Sequence, residues 1–241
     1  MDIKLALELG SDIPIPECQL VLHQPTMKEI AFMGEHEFFV GVQTLTLHKS
    51  MFMDKDKGVP ESITNFQIFM TIVNGKETAD KKEIVKQLFL IIFPKYKVLF
   101  TPNSILFQDD NGNHIVDANN FESLQEILRM VFCVNSTDMD KQAFNPANDA
   151  AKEIAEKLMR GRQRVAAQSG ENNHSIFSQY LSVLVIGTQL GFNELQTYTM
   201  YQIFDLMERY SLYTNWDIDL RCRLAGGKPD TQPDNWMKNI H

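Results

Sequence analysis

Residues 197–227 read TYTMYQIFDLMERYSLYTNWDIDLRCRLAGG, and this segment is the clearest indication that the fold is helical. Its first part places apolar side chains at positions i, i+3, i+4 and i+7, with polar side chains on the opposite face. The apolar positions are Met200, Ile203, Phe204 and Met207. This spacing predicts an amphipathic helix over residues 197–212, whose apolar face serves either a partner helix or the protein's own core.

The second part of the segment alternates apolar and polar side chains like a strand, but it also fits a helix. Oppositely charged residues favour the helix, because they form two acid-before-base pairs one turn apart. The pairs are Asp217 with Arg221 and Asp219 with Arg223. Residues 226–227 are both glycine and supply a helix stop. We therefore predict a second helix, with Trp216, Leu220 and Leu224 on one face.

Two more helices are predicted upstream of this segment. Residues 149–168 are rich in alanine and charged side chains, with a thin apolar stripe at Ile154 and Leu158. Ser175 then stands at the N-cap of an apolar helix that stops near Gly191. The carboxyl-terminal unit is accordingly expected to be helical.

The amino-terminal unit begins with a short predicted strand over residues 18–22. Thr26 and Glu29 then have the spacing of a capping box, and apolar residues follow at helical spacing. We predict one helix over residues 27–47 from this pattern.

Three further helices are predicted over residues 62–73, 80–93 and 121–134. Between the last two, residues 95–116 are rich in β-branched and aromatic side chains. Residues 111–112, Asn-Gly, suit a tight hairpin turn with positive φ angles. This region predicts a small antiparallel sheet of two or three strands.

The fold class is therefore mainly α with a small antiparallel sheet in the amino-terminal unit, an α+β arrangement. The stretch after residue 134 has few periodic apolar residues and several Asn, Asp and Ser residues. We place the domain boundary there, with an amino-terminal α+β domain over residues 1–135, a linker over 136–146 and a helical carboxyl-terminal domain over 147–241.

Composition limits the class of protein. No apolar run approaches the roughly 20 residues that span a bilayer, and the amino end lacks the pattern of a signal peptide, so a soluble cytoplasmic protein without a membrane partner is expected. Cys18, Cys133 and Cys222 lie far apart without a CxxC pair, which fits reduced thiols better than disulfides or a zinc site. A net charge of −8 argues against broad nucleic-acid binding.

The sequence contains no recognisable catalytic motif. His36 and Glu37 resemble the start of a zinc-binding HExxH helix, but Val40 stands where the second histidine is needed. Residues 109–113 carry oxygen ligands suited to calcium, yet they lack the ligand spacing of an EF-hand loop and fit a plain turn. Glycine-rich nucleotide-binding motifs and the hydrolase GxSxG motif are also missing. We expect no enzyme activity, no cofactor and no metal.

Two features leave alternatives open. Arg160, Arg162 and Arg164 form a basic patch that fits phosphates or an acidic partner, or a solvated helix face. The chain also has 12 methionines, which fit either an adaptable binding surface or ordinary core packing.

Several stretches resemble tail assembly chaperones of tailed bacteriophages. In the carboxyl-terminal part these are TMYQIFDLMERY (residues 199–210), WDID (216–219) and DNWM (234–237). At the amino-terminal end, QPTMKEI (24–30) and GEHEF (34–38) are similar to an opening found in such proteins from phages of Gram-positive hosts.

This resemblance implies a non-enzymatic protein of the host cell cytoplasm. It would bind the long helical tape-measure protein, keep its apolar stretches from aggregating and assist assembly of the tail-tube protein around it. The residues expected to bind the partner are Met200, Tyr201, Ile203, Phe204, Met207, Tyr210 and Trp216. A structural virion protein, such as a head–tail connector or baseplate component, is the alternative. A DNA-handling protein that uses the basic patch is a third hypothesis.

Overall fold

The computed structural model describes residues 2–52, 62–75, 78–134, 175–227 and 235–237. Within these ranges the protein is mainly helical with small antiparallel sheet structure, as the sequence predicts, and it has two such sheets where one was predicted. The helices are α1 (Ile3–Glu8), α2 (Met27–Met33), α3 (Glu35–Thr46), α4 (Asn65–Asn74), α5 (Ala79–Ile92), α6 (Phe121–Val131), α7 (Ile176–Thr188), α8 (Phe192–Leu195) and α9 (Met200–Leu224). The strands are β1 (Ile13–Ile15), β2 (Leu20–Leu22), β3 (Lys97–Phe100), β4 (Ile105–Asp109) and β5 (Gly112–Val116).

The first sheet pairs β1 with β2 around a short 3₁₀ turn over Pro16–Cys18. Ile13 lies opposite Leu22 and Ile15 opposite Leu20, and all four side chains are fully buried. The sequence predicted the second strand but not the first, because β1 has only three residues and contains a proline.

The helix predicted over residues 27–47 is two helices, so that prediction was wrong in one respect. The break is at Gly34, whose φ of +99° is accessible to glycine but strained for other residues. The capping box is confirmed: Glu29 N–H donates to Thr26 Oγ1 at 3.3 Å, and Thr26 N–H donates to Glu29 Oε2 at 2.8 Å. The apolar periodicity continues across the break and therefore conceals it.

The second sheet has the order β3-β4-β5, which confirms the predicted small sheet. Asp109 pairs with Gly112, so the turn residues are Asp110 and Asn111, one position earlier than predicted. Only Gly112 in this turn has a positive φ. One face of the sheet supplies buried side chains to the core, among them Phe107, whose ring lies 4.9 Å from that of Phe93 after α5.

A buried glutamine of α6 closes the carboxyl end of α3. Gln125 Nε2 donates to the carbonyl oxygens of Leu45 and Leu47 at 2.8 and 2.9 Å, and Arg129 donates to the carbonyl of Thr46 at 3.3 Å. These carbonyls have no partner within the helix because a helix leaves its last acceptors unsatisfied. The contact joins elements about 80 residues apart in sequence.

The helices predicted over 197–212 and 216–224 form one continuous helix, α9, which corrects the predicted separation. The residues between them, 213–215, contain no proline or glycine, so nothing in the backbone ends the helix there. The predicted stop is confirmed. Gly226 has a φ of +87°, and the N–H of Gly227 donates to the carbonyl of Cys222 at 2.9 Å, as in a Schellman cap.

The carboxyl-terminal helices pack on the amino-terminal elements. Met27 N–H donates to the carbonyl of Tyr198 at 2.8 Å, and Gln202 Nε2 donates to the carbonyl of Glu8 at 2.9 Å. Phe177 and Ile203 belong to the same buried cluster as the side chains of α3 and α6. The linker over 136–146 and the helix over 149–168 lie outside the described residues, so the division into two domains stays a prediction.

Candidate partner-binding surface

The first turn of α9 faces inward. Thr199 caps the helix by accepting the N–H of Gln202, and Met200, Tyr201 and Ile203 are buried. Burial raises the pKa of Tyr201 to about 12, helped by the negative charge of Asp205. Three of the seven residues expected to bind a partner therefore belong to the core, which is one of the two roles that the sequence left open.

The next three residues of the predicted surface are half-buried against α7. The ring of Phe204 lies 5.6 Å from that of Tyr180 and 6.1 Å from that of Phe177. Met207 also packs against the core, and Tyr210 lies against Gly187. The stripe predicted from its spacing is thus divided between the core, which holds Met200 and Ile203, and the seam with α7, where Phe204 lies. Two apolar helix faces that pack together exclude water, so these residues of α9 are shielded from solvent.

Trp216, the last of the seven, is half-buried near the carboxyl-terminal residues. Its ring lies 6.2 Å from that of Tyr213, and Tyr213 in turn contacts Trp236 at 5.6 Å. These three aromatic rings form a cluster where residues 235–237 approach α9.

Exposed apolar residues occur on several elements, and three of them lie on the outer side of α7 and on α8. Ile186 is 83% exposed, Phe192 is 56% exposed and Val183 is 39% exposed. We call these three residues the α7 face. None of the residues 176–188 is charged, so this face has no ionic group of its own helix beside it. Val183 and Ile186 lie one turn apart on this uncharged helix, so the α7 face is a candidate binding surface.

Hydroxyl groups on α7 turn back onto their own helix. Ser182 Oγ donates to the carbonyl of Ser178 at 2.8 Å, and Thr188 Oγ1 donates to that of Leu184 at 2.6 Å. These bonds occupy polar groups near the α7 face, which makes the surface less polar than its composition suggests.

The α7 face was not predicted from the sequence, although the sequence contains a signal for it. The helix is apolar on most of its circumference, yet only Phe177 and Leu184 are buried. A helix that is apolar all round is either enclosed on every side or leaves apolar residues for a partner. The number of apolar residues on α7 exceeds what its contact with α9 and the core buries.

Two contacts position α7. Ser175 Oγ accepts the N–H of Ser178 at 2.9 Å, which confirms the predicted N-cap, and Glu35 Oε1 accepts the N–H of Ile176 at 2.8 Å. A carboxylate at a helix amino terminus is favoured by the helix dipole. The break at Gly34 thus places Glu35, the first residue of α3, where it holds the start of α7.

A cluster of titratable side chains near α2 is the other candidate site. His23 lies between two carboxylates, with Nδ1 at 3.1 Å from Asp12 and Nε2 at 3.3 Å from Glu29, and Lys95 Nζ lies 3.0 Å from Asp12. Burial opposes ionisation of Asp12, but Lys95 and His23 outweigh it and hold the pKa of this carboxyl below its ordinary value. The ion pair of Lys95 with Asp12 and the hydrogen bonds of His23 link the residues beside β1 and β2 to α2.

Glu29 in this cluster is already committed to structure. Its partial burial would raise its pKa, but hydrogen bonds from the backbone and hydroxyl of Thr26 and from His23 keep that pKa lowered. The Thr26 hydroxyl donates to Glu29 rather than to the imidazole of His23, so the cluster lacks the nucleophile-to-base contact of a catalytic triad.

The other residues singled out from the sequence do not converge. His36 is exposed near the start of α3. Asp109 Oδ1 accepts the N–H groups of Asn111 and Gly112 at 2.8 and 3.0 Å, which is the arrangement of a turn. No group of His, Cys, Asp and Glu suited to a metal ion occurs among the described residues. Arg160, Arg162 and Arg164 lie outside them.

Among the helices of the described ranges, none combines the length and the apolar character needed to cross a membrane. Comparison of the chain with protein-family models, with curated proteins and with solved structures found no match.

Proposed function

We propose that this protein is a tail assembly chaperone of a tailed bacteriophage and that it holds apolar helical segments of the tape-measure protein on its α7 face. The observation that carries the proposal is the exposure of Val183 and Ile186 on α7, which has no charged residue, together with that of Phe192 on α8. The resemblance of the chain's two ends to this family supports the choice of partner.

The geometry of the α7 face suits reversible binding. Val183 and Ile186 are one turn apart on α7, and Phe192 follows on α8. A partner helix recognises such a surface through its own apolar residues at i, i+3, i+4 and i+7. Fully burying an aliphatic or aromatic side chain contributes about 1.5 to 3 kcal/mol, and part of this gain is offset by the cost of association. Three such residues support binding without making it permanent.

The charge of the chain fits the same role. A net charge of −8 gives the complex a like-charged outer surface, and like charges keep particles apart in solution. Binding of this kind needs no acid, base or cofactor, so the proposed activity is not enzymatic. The tail-tube protein is the second proposed partner, and the host cytoplasm is the proposed site of action.

Co-expression with the tape-measure protein tests the proposal. The tape measure should remain in the soluble fraction with the natural chain and aggregate without it. Ile186→Asp combined with Val183→Asp should remove this effect, because burying a carboxylate against an apolar helix costs free energy. Leu90→Asp is the matched control, since Leu90 is also an exposed apolar residue but lies on α5. Equal aggregation with and without the chain would refute the proposal.

Analysis of purified virions separates this proposal from the structural alternative. A chaperone is released before the particle is complete, so mass spectrometry should not detect it in virions. Stoichiometric copies in the particle would instead identify a connector or baseplate component. DNA binding that weakens with salt, and is lost when Arg160, Arg162 and Arg164 are replaced by alanine, would favour the DNA-handling hypothesis.

A further inference from the structure

We infer that the distal half of α9 is a homodimer interface, on which a second copy of this chain packs antiparallel about a twofold axis beside Leu220. The inference concerns residues 213–224, which are separate from the α7 face. It does not depend on the proposed chaperone function.

The apolar part of this interface is a stripe along one side of α9. Trp216, Leu220 and Leu224 follow one another at intervals of four residues, and Tyr213 lies seven residues before Leu220. With about 3.6 residues per turn these four side chains share one face. Leu224 is 79% exposed and Leu220 is 37% exposed, while Trp216 is half-buried beside Tyr213, whose ring also contacts Trp236 of the same chain. We call these four residues the distal stripe.

Charged pairs run along both sides of the distal stripe. Arg221 Nε lies 2.8 Å from Asp217 Oδ2 on one flank, and Arg223 Nε lies 2.7 Å from Asp219 Oδ2 on the other. In both pairs the acid precedes the base. Each flank is therefore acidic toward the amino end and basic toward the carboxyl end, with Leu220 between the two halves.

This charge order is complementary to itself in an antiparallel pair. A twofold axis perpendicular to the helix brings each flank against the same flank of the second copy, with the chain direction reversed. Asp217 then lies beside Arg221 of the second copy, and Asp219 lies beside Arg223 of the second copy. Arg221 also approaches Arg221 and Asp219 approaches Asp219 at the same offset, so each flank has two attractive contacts for one repulsive contact. Each offset is about two residues, or about 3 Å along the helix. The apolar residues match as well, since Trp216 meets Leu224 and Leu220 meets Leu220.

A parallel pair does not have this complementarity. There the twofold axis runs along the helices, so identical residues lie at the same height and opposite flanks meet. Asp217 would then approach Asp219 of the second copy and Arg221 would approach Arg223, and these like-charged contacts outnumber the attraction between Arg221 and Asp219. Charges on the flanks of a two-helix interface select orientation in this way. The charged flanks of the distal stripe therefore favour the antiparallel pair.

The antiparallel arrangement also avoids collisions between the folded bodies. The amino-terminal turns of α9 are packed in the core, whereas residues beyond 216 lie away from it and most are exposed. Reversing the second copy places its body at the far end of the helix pair. The Schellman cap at Gly226 ends the helix firmly enough to keep Leu224 in the stripe.

Sedimentation analysis of the full chain tests the inference at concentrations of about 5 to 200 µM, the range expected for a small interface. The natural chain should show a reversible monomer–dimer equilibrium. Leu220→Lys should leave only monomer, because the two lysines would meet at the axis. Ile218→Lys is the matched control, since Ile218 is 59% exposed on the opposite side of the same helix, and it should leave the dimer intact.

Charge reversal tests the orientation. Asp217→Arg and Arg221→Asp should each raise the dissociation constant of the homodimer by about tenfold. Each substitution leaves one flank with charges of only one sign. Mixing the two variants should restore association, since an all-basic flank then meets an all-acidic one. A monomer at every concentration, no recovery on mixing, or a stronger dimer for Asp217→Arg would each overturn the inference. The last result would indicate a parallel pair.

Discussion

Gly187 of α7 lies directly against the ring of Tyr210 of α9. A Cβ atom built at position 187 would overlap the ring carbons of Tyr210 and lie 2.6 Å from its Oη. No larger residue fits at 187 without displacing the ring, so this contact sets how closely the two helices approach. The α7 face and the seam beside it both depend on that spacing.

Gly187→Ala should lower the free energy of unfolding by about 1 kcal/mol. Overpacking a close contact destabilises a protein by about 1 to 3 kcal/mol. The higher helix propensity of alanine offsets up to about 1 kcal/mol of this loss. Chemical denaturation measures the difference. Gly191→Ala is the control, because the nearest atom to a Cβ there is 3.7 Å away. If both variants are equally stable, the close approach of α7 and α9 is contradicted.

Gln125→Ala should destabilise the protein by about 1 to 3 kcal/mol, because it removes both donors to the carbonyl oxygens at the end of α3 and leaves a buried acceptor unpaired. Thermal or chemical unfolding gives the value. Glu126→Ala changes the exposed neighbour on α6 and should have an effect of less than about 0.5 kcal/mol. A loss of stability of similar size in both variants would show that the caps at Leu45 and Leu47 are unimportant.

Acid should remove the stabilising effect of Asp12 and Glu29. Their pKa values in the folded state lie below the ordinary 3.8 and 4.5, so the folded state binds fewer protons than the unfolded state as pH falls through this range. The two carboxylates contribute their full stabilisation above their ordinary pKa values. This stabilisation disappears as the pH falls through their lowered pKa values. The stability difference between the natural chain and Asp12→Asn should therefore shrink below about pH 4. A stability difference that stays constant down to about pH 2 to 3 would contradict the contacts of Asp12 with His23 and Lys95.

Of the three cysteines, Cys222 should react fastest with a thiol reagent, because it is exposed on α9. Burial raises the pKa of Cys18 to about 11 and that of Cys133 to about 12, which leaves almost no thiolate at neutral pH. Intact mass measurement after brief alkylation of the folded protein should show a single adduct. Cys222→Ser should abolish it, whereas two or three rapid adducts would contradict the burial of the other thiols.

Local features were predictable because their determinants lie within one or two turns. The capping box of Thr26 with Glu29 and the pairs of Asp217 with Arg221 and Asp219 with Arg223 are all found where the spacing indicated. Helix boundaries were predicted less well. Gly34 interrupts an unbroken apolar pattern, and α9 continues through residues 213–215, which were predicted to separate two helices.

The candidate site was less predictable than the elements that form it. Periodicity showed that Met200, Ile203, Phe204 and Met207 share a helix face, but it contains no information about what covers that face. In the structure the core buries Met200 and Ile203, and Phe204 packs against α7. The residues of the α7 face lie on the other side of that helix and stay exposed.

By itself, the sequence determined the helical class, the small second sheet, the helix caps and the charge pairs, since each depends on side chains a few residues apart. Only the tertiary structure decided that Gln125 closes α3, that Gly187 admits Tyr210 and that Ile186 remains exposed. These depend on which surfaces meet across long separations in the chain. Burial depends on these tertiary contacts, because a side chain loses its hydration only when another element packs against it.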